Sequence, residues 1–232
     1  VSKDIIIFSA DYDIDSAINS FSADNKVLLF VIESGYTGTV TDNIGLTITN
    51  SFAMGTSGAF VAAPTLTIGR SFANGGGIFT HSGGSVVFDG TTPGRVIYAG
   101  GSPFNDISFT GSGGEWTVRD DMTVAGTFSV TDGLFVSGAV GDTNTVTING
   151  TYFDKDVNQA NTTWAAGSTL DIQTDIDHND ALAGETLPIG ETYYDIRLGR
   201  GSATGTTYFI MGSTIEGDWT IDPEAVVDMS ED

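Results

Sequence analysis

The chain has 232 residues, of which 30 are acidic and 8 are basic, and its formal net charge is −22. A surface this acidic repels the phosphates of nucleic acids and of anionic lipids, so we expect neither as a partner. The sequence has no cysteine, which excludes thiol catalysis and cysteine-bound metals, and it has no apolar run long enough for a transmembrane segment.

Residues 1–40 contain two strongly apolar segments of strand length, Ile5-Ile6-Ile7-Phe8 and 27–32. We assign this region to N-terminal strands and predict that Ile5, Ile6, Ile7 and Phe8 form an assembly contact. They would lie in a subunit interface or form a strand donated to a neighbouring copy. The one weak helical candidate is 13–21, where Asp13 or Asp15 would cap a short helix.

Residues 41–232 carry a seven-residue repeat that reads apolar-Thr-apolar, two variable positions, a small polar residue and an aromatic. Its copies span 46–52, 66–72, 122–128, 146–152 and, with Ser in the first apolar position, 213–219. The spacing from Leu46 to Leu66 and from Met122 to Val146 gives a period of roughly 20–25 residues, which is typical of a stacked coil. The sequence therefore predicts an all-β parallel β-solenoid of roughly ten rungs, each about 20–25 residues long.

Stacking of the copies makes predictions for individual residues. Leu46 is expected over Leu66, and Phe52 over Phe72, at roughly the 4.8 Å spacing of paired strands. Looser rungs are predicted at 86–88, 107–109 and 170–172. The fifth position of the repeat is glycine in three copies, which predicts a bend at the corner of the coil.

A longer duplication overlies the short repeat. Residues 104–130 resemble residues 193–221, beginning with Phe104-Asn105-Asp106-Ile107 against Tyr193-Tyr194-Asp195-Ile196. The two segments predict one structural unit used twice, with a small difference in loop length that costs little.

The run 66–135 resembles the repeat regions of bacterial secreted surface proteins, namely filamentous-haemagglutinin-like and autotransporter-adhesin-like repeats. The residues that carry this resemblance are 77–90, 104–107 and 122–128. The resemblance implies a right-handed parallel β-helix, an extracellular or cell-surface location, and a structural, adhesive or filament role. It offers no catalytic motif to carry over.

Two acidic segments are candidates for calcium, which prefers oxygen ligands. The first contains Asp11, Asp13 and Asp15, and the second contains Asp175, Asp177 and Asp180. Neither has the spacing of an EF-hand loop. The alternative interpretation is a pair of solvated acidic loops, and we expect no cofactor to be required.

Catalytic candidates are few. The only histidines are His81 and His178, in segments that resemble solvated loops. The best carboxylate cluster for a polysaccharide-cleaving site is Arg119-Asp120-Asp121, but a polar turn with a local ion pair explains it as well. We therefore expect no enzymatic activity.

Two Asn-x-Thr sequons, at Asn149 and Asn161, are glycosylation candidates. Asn149 also belongs to a corner of the repeat, so Asn161 is the better candidate.

The repeat persists almost to the C-terminus, and we recognise no cap at either end. A solenoid edge without a cap invites pairing with another chain. The chain is then either a fragment of a longer fibre or a subunit that polymerises head to tail. We predict a non-enzymatic extracellular structural protein, a subunit of a filament or surface fibre. The alternatives are a cell-surface adhesin segment that binds a glycan or a host protein and, with less support, a polysaccharide-cleaving enzyme.

Overall fold

The computed structural model describes residues 4–12, 14–21, 24–81, 83–150, 152–154, 162–173, 192–198, 206–208, 214–221 and 226–228. The fold is all-β, a parallel β-solenoid of about eight turns, which confirms the predicted class and comes close to the predicted number of rungs. The helical structure in these ranges is one short 3₁₀ turn at Ala10–Tyr12. Across the described residues, no helix has the length and apolarity needed to cross a membrane.

The strands are short and follow one another closely. In chain order the first are β1 (Ile5–Phe8), β2 (Ser16–Ile18), β3 (Lys26–Val27), β4 (Leu29–Ile32), β5 (Thr39–Asp42), β6 (Thr47–Ile48), β7 (Phe52–Met54), β8 (Ala59–Val61), β9 (Thr65–Ile68), β10 (Phe72–Asn74), β11 (Ile78–Thr80), β12 (Ser85–Phe88) and β13 (Arg95–Tyr98). The others are β14 (Asp106–Val118), β15 (Met122–Val124), β16 (Phe128–Val136), β17 (Thr145–Ile148), β18 (Tyr152–Asp154), β19 (Thr162–Thr163), β20 (Thr169–Ile172), β21 (Thr192–Tyr193), β22 (Asp195–Leu198), β23 (Thr206–Tyr208), β24 (Thr214–Ile215), β25 (Trp219–Ile221) and β26 (Val226–Asp228).

Each strand pairs with strands one turn away along the coil. One large sheet runs β1-β4-β7-β10-β13-β14-β12-β9-β6-β3, and β16, β18 and β19 extend it beyond β14. Further sheets run β11-β8-β5-β2, β15-β17-β20-β22-β25, β21-β24 and β23-β26. The large sheet covers two faces of the coil, because β14 bends round a corner. Its first half pairs with β12 (Ile107 opposite Val86) and its second half with β13 (Trp116 opposite Arg95).

The register of these pairs is the one that the repeat predicts. The stacked repeat positions are Thr47 on Thr67, Phe52 on Phe72, Met122 on Val146 and Phe128 on Tyr152. The looser rungs join the same ladders, with Val86 beside Leu66 and Leu170 beside Val146. The sequence period therefore fixes which residues become neighbours across the strands.

Aromatic side chains fill the inside of the coil. Phe30, Phe52 and Phe72 form a column in which successive ring centroids are 5.4 and 4.9 Å apart and the ring planes are 7° from parallel. Phe60, from the neighbouring face, meets Phe52 edge-on at 5.1 Å. These rings are fully buried and belong to one continuous apolar core. Stacked and edge-to-face contacts of this kind add to the stabilisation that burial provides.

The weak helical candidate at 13–21 is wrong. The structure has β2 at Ser16–Ile18, paired in parallel with β5. Asp15 caps no helix; its Oδ1 accepts a hydrogen bond from the Thr39 N–H at 2.7 Å. Pairing with the next turn of the coil overrides the local preference.

The chain turns at the fifth position of the repeat, as predicted, but close stacking is the reason for glycine there. A Cβ on Gly150 would collide with the carbonyl oxygen of Gly126 on the preceding turn, and Cβ atoms on Gly126 and Gly217 would collide with carboxylate oxygens. None of these three glycines has a positive φ. Glycine lets successive corners of the coil approach closely.

The segments 104–130 and 193–221 make equivalent contacts. The equivalent strand pairs are Phe104 with Val124 against Tyr193 with Ile215, and Ile107 with Phe128 against Ile196 with Trp219. Asp106 Oδ1 accepts from the Thr127 N–H at 2.7 Å, and Asp195 Oδ1 accepts from the Asp218 N–H at 2.6 Å. The same aspartate therefore joins two turns in each segment.

Candidate functional site

The strand predicted as an assembly contact lies at one edge of the large sheet. β1 pairs with β4 over all four residues, and within the described ranges β4 is its only partner. Ile6 and Phe8 pack against the core. Ile5 and Ile7 point outward and keep 52% and 56% of their surface exposed.

The backbone of β1 presents hydrogen-bonding groups on the side opposite β4. The Asp4 and Phe8 carbonyls accept from Leu28 and Glu33 N–H groups at 2.7 and 2.9 Å. Because N–H and C=O groups alternate in direction along a strand, those of Ile5 and Ile7 point away from β4. We call these outward groups and side chains the free edge of β1. Such an edge can pair with another strand.

The structure describes only two of the six calcium candidates. Asp11 is exposed in the 3₁₀ turn, and Asp15 is engaged by the Thr39 N–H. Asp13, Asp175, Asp177 and Asp180 lie outside the described residues. In the ranges that the structure does describe, no three His, Asp or Glu side chains come together as a metal site. Calcium binding stays a prediction.

Carboxylates at the corners of the coil have a role that we did not predict. Asp42 is 2% exposed, and its two oxygens accept hydrogen bonds from the N–H groups of Ile44, Gly45 and Leu46 at 3.0–3.1 Å. This arrangement closes the turn before the first copy of the repeat. The sequence contains a signal for it, since an Asp ahead of a glycine is typical of a turn in which the side chain bonds the following backbone.

The cluster Arg119-Asp120-Asp121 is engaged with its own fold. Arg119 lies 3.4 Å from the carboxylate of Asp142. Asp120 accepts from the N–H groups of Ala99 and Gly100 at 2.7 and 2.8 Å, and Asp121 accepts from the Thr145 N–H at 2.8 Å. The cluster therefore fastens neighbouring turns, and the ion partner of Arg119 is Asp142 rather than an acid inside the cluster.

His81 and Asn149 both lie at turns. His81 Nδ1 accepts from the Gly83 N–H at 3.2 Å, inside a tight turn. Asn149 is exposed after β17, and its backbone N–H donates to the Val124 carbonyl at 2.8 Å. A glycan acceptor has to be exposed, and glycosylation of Asn149 stays a prediction. His178 and Asn161 lie outside the described residues.

A shallow groove of about 440 Å³ crosses the corner between the two faces of the large sheet. The corners after β6 and β9 contain three residues each, 49–51 and 69–71, whereas the corner after β12 contains six, 89–94. The longer corner projects and forms one wall of the groove. The lining residues are Leu28, Thr47, Thr49, Asn50, Gly69, Arg70, Asp89, Gly90, Thr91 and Thr92. We call this feature the corner groove.

The corner groove contains one cation and one carboxylate. The Arg70 side chain is exposed, while its carbonyl accepts from the buried Trp116 Nε1 at 2.8 Å, which fixes the backbone there. Among the residues described, its guanidinium takes part in no ion pair. Burial raises the pKa of the Asp89 carboxyl, and a backbone hydrogen bond and the charge of Lys26 act in the opposite direction. The groove therefore offers donors and acceptors without a strong charge of either sign.

The corner groove was not predicted from the sequence. The signal was a change of period: Phe72 stacks on Phe52 one short turn before it and on Ile97 one longer turn after it. Most of the extra residues of the longer turn lie in the projecting corner, and the others begin β13.

Comparisons of the chain with protein-family models, with curated proteins and with solved structures return no match.

Proposed function

We propose that this chain is a non-enzymatic structural protein of the cell exterior whose copies stack end to end into a filament or surface fibre. The observation that carries the proposal is the free edge of β1, where outward backbone groups and exposed Ile5 and Ile7 side chains belong to the same short strand.

The direction of the strands suits this assembly. The strand pairs of the solenoid are parallel, as β1 with β4 and β22 with β25 illustrate. A second copy stacked in the same orientation therefore presents strands that run in the direction that β1 requires. β25, which lies at the end of its own sheet, exposes Trp219 and Ile221 by 39% and 43%. Contact between different ends of successive copies does not close and yields a filament.

Charge opposes this assembly and predicts its salt dependence. Copies that each carry a net charge of −22 repel one another. Salt near 0.15 M shortens the screening length to about 8 Å, and divalent cations act more strongly. Stacking is therefore expected to increase with ionic strength and with calcium.

The test is electron microscopy and sedimentation velocity of the purified chain over a range of concentration and salt. We expect particles that lengthen with both. The double variant Ile5→Lys/Ile7→Lys places two lysines on the free edge of β1, and charged edge residues prevent strand pairing. It should stay monomeric while its circular dichroism and thermal transition match those of the parent chain.

The matched control is Tyr98→Lys/Val140→Lys, which adds the same charge at side chains that are 41% and 95% exposed, and β13, which carries Tyr98, is paired on both sides. It should assemble like the parent chain. Monomers of the parent chain at every concentration and salt, with and without calcium, would overturn the proposal. So would equal assembly of the edge variant and the control.

A further inference from the structure

We infer that the corner groove is a binding site for a neutral oligosaccharide. This inference does not rest on end-to-end stacking: the groove takes its lining from four successive corners, of which only the Leu28 corner contacts the turn that contains β1.

The shape of the groove favours an extended ligand. Its lining residues come from corners on successive turns, which Leu28, Asn50, Arg70 and Gly90 represent. Turns of a solenoid repeat at about 4.8 Å, so these four corners cover roughly 14 Å along the coil. The groove is shallow and open to solvent, so a ligand longer than one sugar ring does not have to enter a closed cavity.

The chemistry of the lining matches hydroxyl groups. The hydroxyls of Thr47, Thr91 and Thr92 can donate and accept hydrogen bonds, and the amide of Asn50 can do the same. The Thr49 hydroxyl adds an acceptor, because its proton is donated to the Val27 carbonyl. Arg70 adds donors in a fixed planar fork, and Asp89 adds acceptors. A saccharide presents the same mixture of donors and acceptors at close spacing.

The charges select a neutral ligand. The charged lining residues are one cation, Arg70, and one carboxylate, Asp89, so the formal charges of the lining cancel. The rest of the protein carries a large negative charge, which disfavours uronic-acid or sulfated chains. A cation would find only one carboxylate among the lining residues.

A peptide is a weaker fit than a saccharide. Peptides that bind sheets add as a strand to an open edge. The groove instead crosses the corners between paired strands, where the backbone N–H groups of Asn50, Gly69 and Asp89 already donate to the preceding turn. Its floor therefore offers a ligand mainly side chains.

Some of the lining is held in place before any ligand arrives. The Thr49 hydroxyl donates to the Val27 carbonyl at 3.2 Å, and Asn50 Oδ1 accepts from the Ser51 hydroxyl at 3.2 Å. The Trp116 hydrogen bond fixes the corner that carries Arg70. Binding of a ligand therefore loses less entropy in ordering these groups.

The test uses a printed array of neutral oligosaccharides beside uronic-acid oligosaccharides and extended peptides of similar length. Isothermal titration calorimetry with the best neutral oligosaccharide follows. We expect saturable binding of at least one neutral oligosaccharide. Arg70→Ala should weaken it about tenfold or more, and Thr47→Val by about two- to tenfold, as expected for a charged and a neutral hydrogen bond. Thr41→Val, on β5 in another sheet, is the matched control and should bind like the parent chain.

The measurements are repeated on the Ile5→Lys/Ile7→Lys variant, so that binding and assembly are read separately. Unchanged affinity there supports a groove that works without stacking, and loss of binding in that variant overturns this independence. Absence of neutral-oligosaccharide binding at millimolar concentration would overturn the inference. So would binding of uronic-acid oligosaccharides or peptides alone, or equal affinity of Arg70→Ala and Thr41→Val.

Discussion

Phe52 lies directly over Phe72, with ring centroids 4.9 Å apart and ring planes inclined by only 7°. Their backbones are neighbours in the same parallel ladder, so one period of the sequence becomes one step along the coil. Phe52 also meets Phe30, Phe60 and Phe79, which places it at the centre of the aromatic core.

Truncation of this ring is expected to be strongly destabilising. Phe52→Ala removes a fully buried side chain and leaves a cavity, and such changes cost about 3–5 kcal/mol. Chemical denaturation followed by circular dichroism measures the change in the free energy of unfolding. Val140→Ala, at a side chain that is 95% exposed, serves as the control and should stay within about 0.5 kcal/mol. A loss below about 1 kcal/mol for Phe52→Ala would contradict the packing described, because full burial in the core requires more.

Gly150→Ala tests close stacking at the corners. Because a Cβ there would collide with the carbonyl oxygen of Gly126, the backbone must move, and overpacking of this kind costs about 1–3 kcal/mol. The matched variant is Asn50→Ala, at the same repeat position in the first copy, where the corner already accommodates a side chain. Comparison of the two melting temperatures provides the measurement. Gly150→Ala should lower the melting temperature more than Asn50→Ala. Because Gly150 has no positive φ, backbone strain would not explain such a difference, and equal melting temperatures would contradict close stacking.

Asp120→Ala tests the structural role of the cluster at 119–121. The substitution leaves the N–H groups of Ala99 and Gly100 without their acceptor, and buried unsatisfied groups cost about 1–3 kcal/mol each. Asp121→Ala frees only the more exposed Thr145 N–H and should cost less. Asp120→Asn keeps one acceptor oxygen, so its loss of stability should lie between those of Asp120→Ala and Asp121→Ala. Urea denaturation ranks the three variants; equal stability for all of them would show that these bonds contribute little to the fold.

Much of the fold could be predicted from the sequence, because the repeat states which residues meet. Thr47, Phe52 and Val146 stand opposite their predicted partners, since a parallel coil adds one turn for each period. Local capping preferences were less reliable. Asp15 precedes a strand rather than a helix, because its bond to Thr39 on the next turn competes with local ones.

The candidate sites also differ in how far the sequence predicts them. Ile5-Ile6-Ile7-Phe8 was recognisable as a strand from its apolar run, and its role in assembly stays a proposal; only the register of β1 on β4 shows which two isoleucines face outward. The corner groove was not recognisable, because Asn50 and Arg70 share the fifth position of the repeat but Asp89, on the projecting corner, belongs to no copy of it.

The sequence by itself determined the class of fold, the period and the stacking register, because hydrophobic and aromatic positions at a fixed spacing leave one way to bury them together. Only the tertiary structure decided which carboxylates accept hydrogen bonds from the backbone, which glycines are sterically required and where the polar corners form a groove. These features depend on distances between residues that lie a full turn of the coil apart, and no local pattern encodes them.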